Sequence, residues 1–236
     1  MSSIKSLSLA CLTAMLFTQQ AECRKNPMLC DTNIPQLHDM GVVKSADLKV
    51  QTADIFLVKL NTDGSVSTFI GKKNYAPFAW NLPGGKCTSA STSPIDVAKR
   101  ELSHDTGGHV SVNKWTLEKA PTLYSPKAHK VIFFVRDDRL TASTLKEGSH
   151  HAISSFHKGF GHREMDEFKE VDLRDFMAKL QDYSKLVSAQ QNEPKKLTII
   201  AKDNTRFEFS ASTALALADK YDLLRNLLTQ ITEKQF

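Results

Sequence analysis

The chain has 236 residues, enough for one domain with additions, and its 41% hydrophobic and 24% charged residues are typical of a globular protein rather than a fibrous or disordered one. Its formal net charge of +5 favours anionic ligands, but Lys and Arg are spread along the chain without a basic block, so nucleic acid binding is not indicated. No run of about 18 apolar residues is present, so the sequence predicts no membrane span.

Residues 1–22 have the layout of a secretory signal peptide. One lysine precedes the apolar run 7–17, and cleavage is expected after Ala21. Gln19 is larger than the residue such a site prefers, so an N-terminal helix of a cytosolic protein is the alternative. Residues 23–49 are polar and predict a lead-in. Export and a cytoplasmic location therefore both stay open.

Four cysteines are present, and none has the C-x-x-C spacing of a zinc site: Cys11, Cys23, Cys30 and Cys87. If the leader is removed, Cys23 and Cys30 could close a small loop and leave Cys87 unpaired. If the leader stays, all four are expected to be thiols.

A β-hairpin is the first predicted element after the lead-in. The apolar segment 53–60 predicts a strand that ends at the turn 61–64, and 65–70 predicts its partner. Pro83-Gly84-Gly85 predicts an interruption of regular structure.

A helix with clear end signals follows. Ser93 is suited to cap it, Pro94 to occupy its first position and Asp96 to complete a capping box, while Gly107-Gly108 predicts the end. Its apolar residues share one face and predict packing on a sheet: Ile95, Ala98 and Leu102.

The second half of the chain predicts further α and β elements. They are a buried strand at 130–135, a long polar loop that carries four histidines at 148–162 and runs on to 172, a helix at 173–190, a hairpin of 197–201 with 206–209, and a last helix at 214–232. The loop contains four histidines that could bind a metal, although an ordinary polar loop is the stronger prediction: His150, His151, His157 and His162.

Two acids stand one turn apart in the helix that follows Ser93. Glu101 and Asp105 are at positions i and i+4, so their carboxylates share a helix face, and oxygen ligands held together in this way suit a divalent cation. His104 could add a third contact. Gly84-Gly85 would let backbone groups approach a metal or a phosphate closely. An ordinary solvated helix face is the alternative for the two acids.

This part of the chain resembles the Nudix box, G-x5-E-x7-R-E-U-x-E-E-x-G-U, where U is apolar. The matching residues are Gly85 and the run Arg100-Glu101-Leu102-Ser103-His104-Asp105-Thr106-Gly107, preceded by Trp80-Asn81-Leu82-Pro83-Gly84. The resemblance implies an α/β Nudix fold, a mixed β-sheet sandwiched between α-helices, with an extra C-terminal hairpin and helix. The domain is expected to cover residues 50–236.

The resemblance also implies a hydrolase that uses Mg2+ or Mn2+ to cleave the diphosphate of a nucleoside-diphosphate-linked substrate. The implied metal ligands are Gly85, Glu101, His104 and Asp105. The implied catalytic residues are Glu101, Arg100, Glu164 and Glu167, with Asp166 in the same acidic segment. Lys86 could attract a phosphate and Trp80 could stack on a base, although a solvated lysine and a core tryptophan are the alternatives.

Three departures from the family pattern weaken the match. The loop between Gly85 and Arg100 is one residue longer, Thr92 stands where the first glutamate belongs, and His104 replaces the first of the paired glutamates. Imidazole suits Mn, Zn or Ni better than Mg2+. A catalytically inactive Nudix-fold binding or regulatory module is therefore the alternative function. Motifs of serine hydrolases, phosphate-loop enzymes, dinucleotide-binding folds and zinc proteases are absent.

Overall fold

A computed structural model describes residues 49–74, 78–88, 92–146, 165–188 and 196–233. The predicted leader, almost all of the lead-in and the histidine loop lie outside these residues. Within them, no helix combines the length and the apolar character needed to cross a membrane.

The described residues form nine strands and five helices of six residues or more, with a further helical turn at 142–146. The strands are β1 (Thr52–Leu60), β2 (Val66–Lys73), β3 (Trp80–Asn81), β4 (Gly84–Lys86), β5 (Thr122–Ser125), β6 (Lys130–Arg136), β7 (Met165–Asp172), β8 (Leu197–Ile200) and β9 (Arg206–Phe209). The helices are α1 (Pro94–Asp105), α2 (Lys114–Lys119), α3 (Leu173–Ser188), α4 (Ala211–Asp219) and α5 (Tyr221–Glu233).

All nine strands belong to one mixed sheet. The main order is β5-β6-β1-β2-β3-β9-β8, while β4 also pairs with β1 and β7 with β2. The β1–β6 and β3–β9 pairs are parallel, and the other pairs are antiparallel.

Side-chain alternation along β1 divides the core into two layers. Ile55 and Leu57 belong to a cluster with α1 and α2, whereas Phe56 and Val58 belong to a cluster with α3, α4 and α5. Successive residues of a strand point to opposite faces, so helices cover both faces of the sheet. This confirms the predicted class, an α/β fold with a mixed sheet between helices and an added C-terminal hairpin. The Nudix assignment itself remains a prediction.

The ends of α1 are those that the sequence predicts. The Ser93 hydroxyl accepts a hydrogen bond from the Asp96 backbone N–H at 3.1 Å, and Pro94 is the first helical residue. Gly107 and Gly108 follow the helix with φ of 61° and 83°, values that favour glycine. These signals fix the position of Glu101 and Asp105 on the helix.

Three predicted boundaries are wrong. Gly84 and Gly85 are not irregular but form β4, in which Gly84 lies close against β1 and Gly85 close against Glu101 of α1. The segment 165–172 is a strand rather than a loop; its buried residues are three apart instead of alternating, which hides the pattern. The last predicted helix is two helices that meet at Lys220, where no glycine or proline marks the break. Two further elements, α2 and β5, were not predicted from the sequence.

The C-terminal hairpin joins the rest of the sheet through β3. Trp80 of β3 pairs with Phe209 of β9, and its ring stacks on Phe207 with centroids 4.5 Å apart. An ion pair between Lys169 and Asp203, 2.7 Å long, ties the hairpin turn to β7. Hydrogen bonds from Lys169 and from Thr205 lower the pKa of Asp203 to about 2.

Candidate functional site

The predicted box residues meet where α1 packs on β4. Glu101 and Asp105 lie on α1 and are both buried, with 7% and 0% of their surfaces exposed. Gly84 and Gly85 lie opposite them on β4. The structure therefore brings together the glycine pair and the two acids that the sequence singles out.

Asp105 already has a cationic partner. Its Oδ1 and Oδ2 lie 2.9 and 3.2 Å from the ammonium nitrogen of Lys73, and Oδ2 also accepts a hydrogen bond of 2.8 Å from the Gly84 backbone N–H. The same ammonium group donates to the Gly84 carbonyl oxygen at 3.1 Å. This ion pair ties the end of β2 to the last residue of α1.

Glu101 is held by the preceding residue. Arg100 donates to its Oε1 from Nε at 2.8 Å and from Nη2 at 2.7 Å. The carboxyl group lies directly against Gly85: a Cβ added there would be 2.6 Å from both Cδ and Oε2 of Glu101. Gly85 therefore provides the space that the glutamate occupies.

The residues present do not fit the divalent metal that the resemblance implies. Asp105 is neutralised by Lys73, and one oxygen of Glu101 is neutralised by Arg100. Across the described ranges, no three His, Cys, Asp or Glu side chains come together as a set of metal ligands. His104, the third predicted side-chain ligand, is half-buried on α1. A metal would have to displace two protein cations to bind both acids.

The other predicted site residues are dispersed. Trp80 is 9% exposed and stacked on Phe207, so its ring is a core element, as the alternative for it predicted, and is not open to a base. Lys86 is exposed on β4. Glu167 lies on β7 with its carboxylate 3.0 Å from Lys169 Nζ. Glu164 lies outside the described residues.

A groove of about 390 Å³ opens beside Lys73. Its lining includes three lysines, two acids and one aromatic ring: Lys72, Lys73, Lys146, Asp166, Glu167 and Phe78, together with Asn74. Phe78 is 57% exposed, which is unusual for so large an apolar side chain. The sequence motifs did not indicate this groove, because its residues come from separate parts of the chain.

A second buried ion pair lies on the other side of β4. Lys130 of β6 contacts Asp54 of β1 and donates to the Thr213 hydroxyl at 3.0 Å. Thr213, on α4, donates in turn to Asn81 Oδ1 at 2.6 Å. All but Asn81 are at most 3% exposed. Sequence analysis missed this network, although a charged residue inside a predicted buried strand, such as Asp54, was the available signal.

Cys87, which directly follows β4, is disulfide-bonded. Both sequence-based expectations for it, an unpaired cysteine or a plain thiol, are therefore wrong. The chain has only three other cysteines, Cys11, Cys23 and Cys30, and all lie outside the described residues. Sequence spacing did not reveal the bond because it joins distant segments.

We expect loss of this disulfide to destabilise the domain. A cross-link that closes a long loop typically stabilises a protein by about 2–4 kcal/mol. Cys87→Ser should therefore unfold at lower denaturant concentration than the wild type, and dithiothreitol should lower the midpoint of the wild type only. Peptide mapping without reduction should find Cys87 linked to one of the three N-terminal cysteines. Equal midpoints for all samples would contradict the expectation.

Fold and site together define an α/β domain with a mixed sheet between helices and a glycine–carboxylate corner closed by lysine and arginine. Comparison with protein-family models and with curated proteins finds no match. Among solved structures, the chain is similar to a C. elegans Ap4A hydrolase binary complex, with 16% identity, coverage of 58% of this chain and 91% of that one, and a TM-score of 0.36. A likeness of this size assigns neither a family nor an activity to this chain.

Proposed function

We propose that this domain is a Nudix-like binding module that holds an anionic, nucleotide-like ligand and does not hydrolyse it by metal catalysis. The observation that carries the proposal is the pairing of Asp105 with Lys73 inside the protein. A buried carboxylate that is paired with an ammonium group and bonded to a backbone N–H is poorly available to a second cation. The three departures from the box pattern support the same interpretation.

The groove beside Lys73 supports the choice of ligand. Lys73 is paired with Asp105, which leaves two lysines and two acids on the groove, and one of these acids, Glu167, is itself paired with Lys169. Lysine ammonium groups attract phosphate, and an exposed aromatic ring can stack on a base. Lys72 and Phe78 lie on this groove and are the residues that we propose contact the phosphate and the base.

Calorimetric titration tests the proposal. ADP-ribose and dinucleoside polyphosphates are titrated in EDTA and in Mn2+, and the products are analysed by chromatography. We expect binding in EDTA without hydrolysis in either buffer. Phe78→Ala should weaken binding, since base–aromatic stacking contributes about 1–3 kcal/mol. Trp115→Ala is the matched control, because Trp115 is 62% exposed on α2 and does not line the groove.

Two results would refute the binding proposal. One is metal-dependent hydrolysis that is lost in Glu101→Gln. The other is nucleotide binding that Phe78→Ala and Trp115→Ala reduce equally, which would place the ligand elsewhere.

A metal-dependent diphosphate hydrolase is the second candidate. The contact of the Glu101 carboxyl group with Gly85 favours it, because a hydrolase would use this glycine–carboxylate corner. Arg100 donates both of these hydrogen bonds to Oε1 of Glu101 and none of them to Oε2. Mn2+ binding by the wild type that Glu101→Gln abolishes, together with turnover of a diphosphate, would favour the hydrolase.

Export from the cytosol is a further part of the proposal. The disulfide at Cys87 supports it, since such bonds persist mainly in oxidising compartments. The layout of residues 1–22 supports it independently. N-terminal sequencing of the mature protein is the test: a chain that begins near residue 22 is expected, and an intact Met1 would count against export.

A further inference from the structure

The lysine at the end of β2 occupies an environment made for a cation. Lys73 Nζ lies 2.9 and 3.2 Å from the two Asp105 oxygens and 3.1 Å from the Gly84 carbonyl oxygen. Carboxylate and backbone carbonyl oxygens are the ligands that hard cations bind. Lys73 is 6% exposed, so its charge is balanced inside the protein rather than by solvent.

We propose that the Lys73 ammonium group is a built-in cation that takes the position of a divalent ion at the Asp105–Gly84 corner. The ammonium supplies the positive charge that this corner requires and links β2, β4 and α1 without any bound metal. The ion pair shares Asp105 with the implied metal ligands, which explains why this carboxylate does not fit a metal. The inference concerns Asp105 and Lys73 only and does not depend on which ligand the groove binds.

Three features of the fold direct Lys73 to this position. Phe69, Gly71 and Lys73 alternate along β2, and Phe69 belongs to the core cluster that contains α1. The pairing of β2 with β7 shifts in register between Lys72 and Lys73, at the end of the strand. Asp105 is the last residue of α1, and a helix C-terminus favours a nearby positive charge.

The hydrogen-bonding groups at this corner also explain why a lysine suits it. Gly84 presents both its N–H, to Asp105, and its carbonyl oxygen, to Lys73. An ammonium group donates several hydrogen bonds and so can serve the carbonyl and the carboxylate together. Each group at the corner thus has an opposite partner, which is the condition for burying charge.

Removal of the lysine should create a metal site. Mn2+ binding to Lys73→Ala and to the wild type is measured by titration calorimetry and by electron paramagnetic resonance, with no nucleotide present. We expect Lys73→Ala to bind Mn2+ at least about tenfold more tightly than the wild type, the scale on which ligand surroundings change metal affinity. Mn2+ should also raise the melting temperature of this variant and leave that of the wild type unchanged.

Two variants serve as controls. Asp105→Asn added to Lys73→Ala should abolish the gain, because the carboxylate is the principal ligand. Lys99→Ala, which removes an exposed lysine from the same helix as Asp105, should show no gain in Mn2+ binding. Equal Mn2+ affinity of Lys73→Ala and the wild type, or a gain that survives Asp105→Asn, would overturn the inference.

The experiment remains decisive if Lys73→Ala is insoluble without metal. The variant is then refolded in Mn2+, in Mg2+ and in Na+ alone. Recovery of folded protein with a divalent ion but not with Na+ supports the inference. Failure in all three solutions overturns it, because a divalent ion then cannot substitute for the ammonium. Because no nucleotide is used, either result is distinguishable from failure of the proposed ligand binding.

Discussion

Lys130→Met is expected to destabilise the domain by about 3–5 kcal/mol, the typical effect of removing one partner of a buried ion pair. Lys130 and Asp54 are 3% and 1% exposed, so the variant would leave a carboxylate inside the protein without its cation. The Thr213 hydroxyl would also lose one of the hydrogen bonds that link α4 to the sheet. Urea denaturation followed by circular dichroism measures the change in the free energy of unfolding.

A matched substitution separates the effect of burial from the effect of the lysine itself. Lys196→Met removes the partner of Glu208 in an ion pair of 2.8 Å whose side chains are 72% and 57% exposed. Exposed pairs contribute about 0–1 kcal/mol, so this variant should lie close to the wild type. Asp54→Asn in the Lys130→Met background should recover part of the lost stability. Equal effects of Lys130→Met and Lys196→Met would contradict the account of the buried network.

Local signals predicted the elements that depend on neighbouring residues. The start of α1 follows from Ser93, Pro94 and Asp96, which are adjacent in sequence, and its end follows from Gly107. The β1–β2 hairpin was equally predictable, because the residues of its turn directly join the two strands in the sequence. The sheet covered by helices on both faces was implied by the family resemblance rather than by these local signals.

The site could not be predicted in the same way, because its partners are distant in sequence. Lys73 and Asp105 are 32 residues apart, Asp54 and Lys130 are 76 apart, and Asn81 and Thr213 are 132 apart. Two acids at i and i+4 indicate a metal site only if no cation of the protein reaches them first. That condition depends on the register of β2 and β4, which the sequence pattern does not reveal.

The conformation of Gly84 was not predicted from the sequence either, although this glycine connects both buried ion pairs. Its backbone groups bond to Asp105 and Lys73, and it pairs with Asp54 of β1. A glycine at this point was expected to approach a ligand. Gly84 instead lies against β1 of the same chain, and one buried ion pair lies on each side of β4.

Gly84→Ala should therefore strongly destabilise the domain. A Cβ on Gly84 would lie 2.4 Å from Asp54 Oδ1, 2.5 Å from Asp54 Cα and 2.6 Å from the Ala53 carbonyl oxygen. Two of these atoms belong to backbone, so a rotamer change cannot relieve the overlap. Overpacking typically costs about 1–3 kcal/mol, and the positive φ of 155° adds about 1–2 kcal/mol for a residue with a Cβ.

Gly64→Ala is the control, because Gly64 also has a positive φ, 81°, but a Cβ added there meets nothing within 4 Å. It should show the backbone cost alone, about 1–2 kcal/mol. The difference between the two variants in urea denaturation isolates the contact of β4 with β1. If the two variants differ by nearly zero, β4 does not lie against Asp54. The ion pairs on the two sides of β4 then cannot have the geometry on which the proposed ligand binding and the proposed role of Lys73 depend.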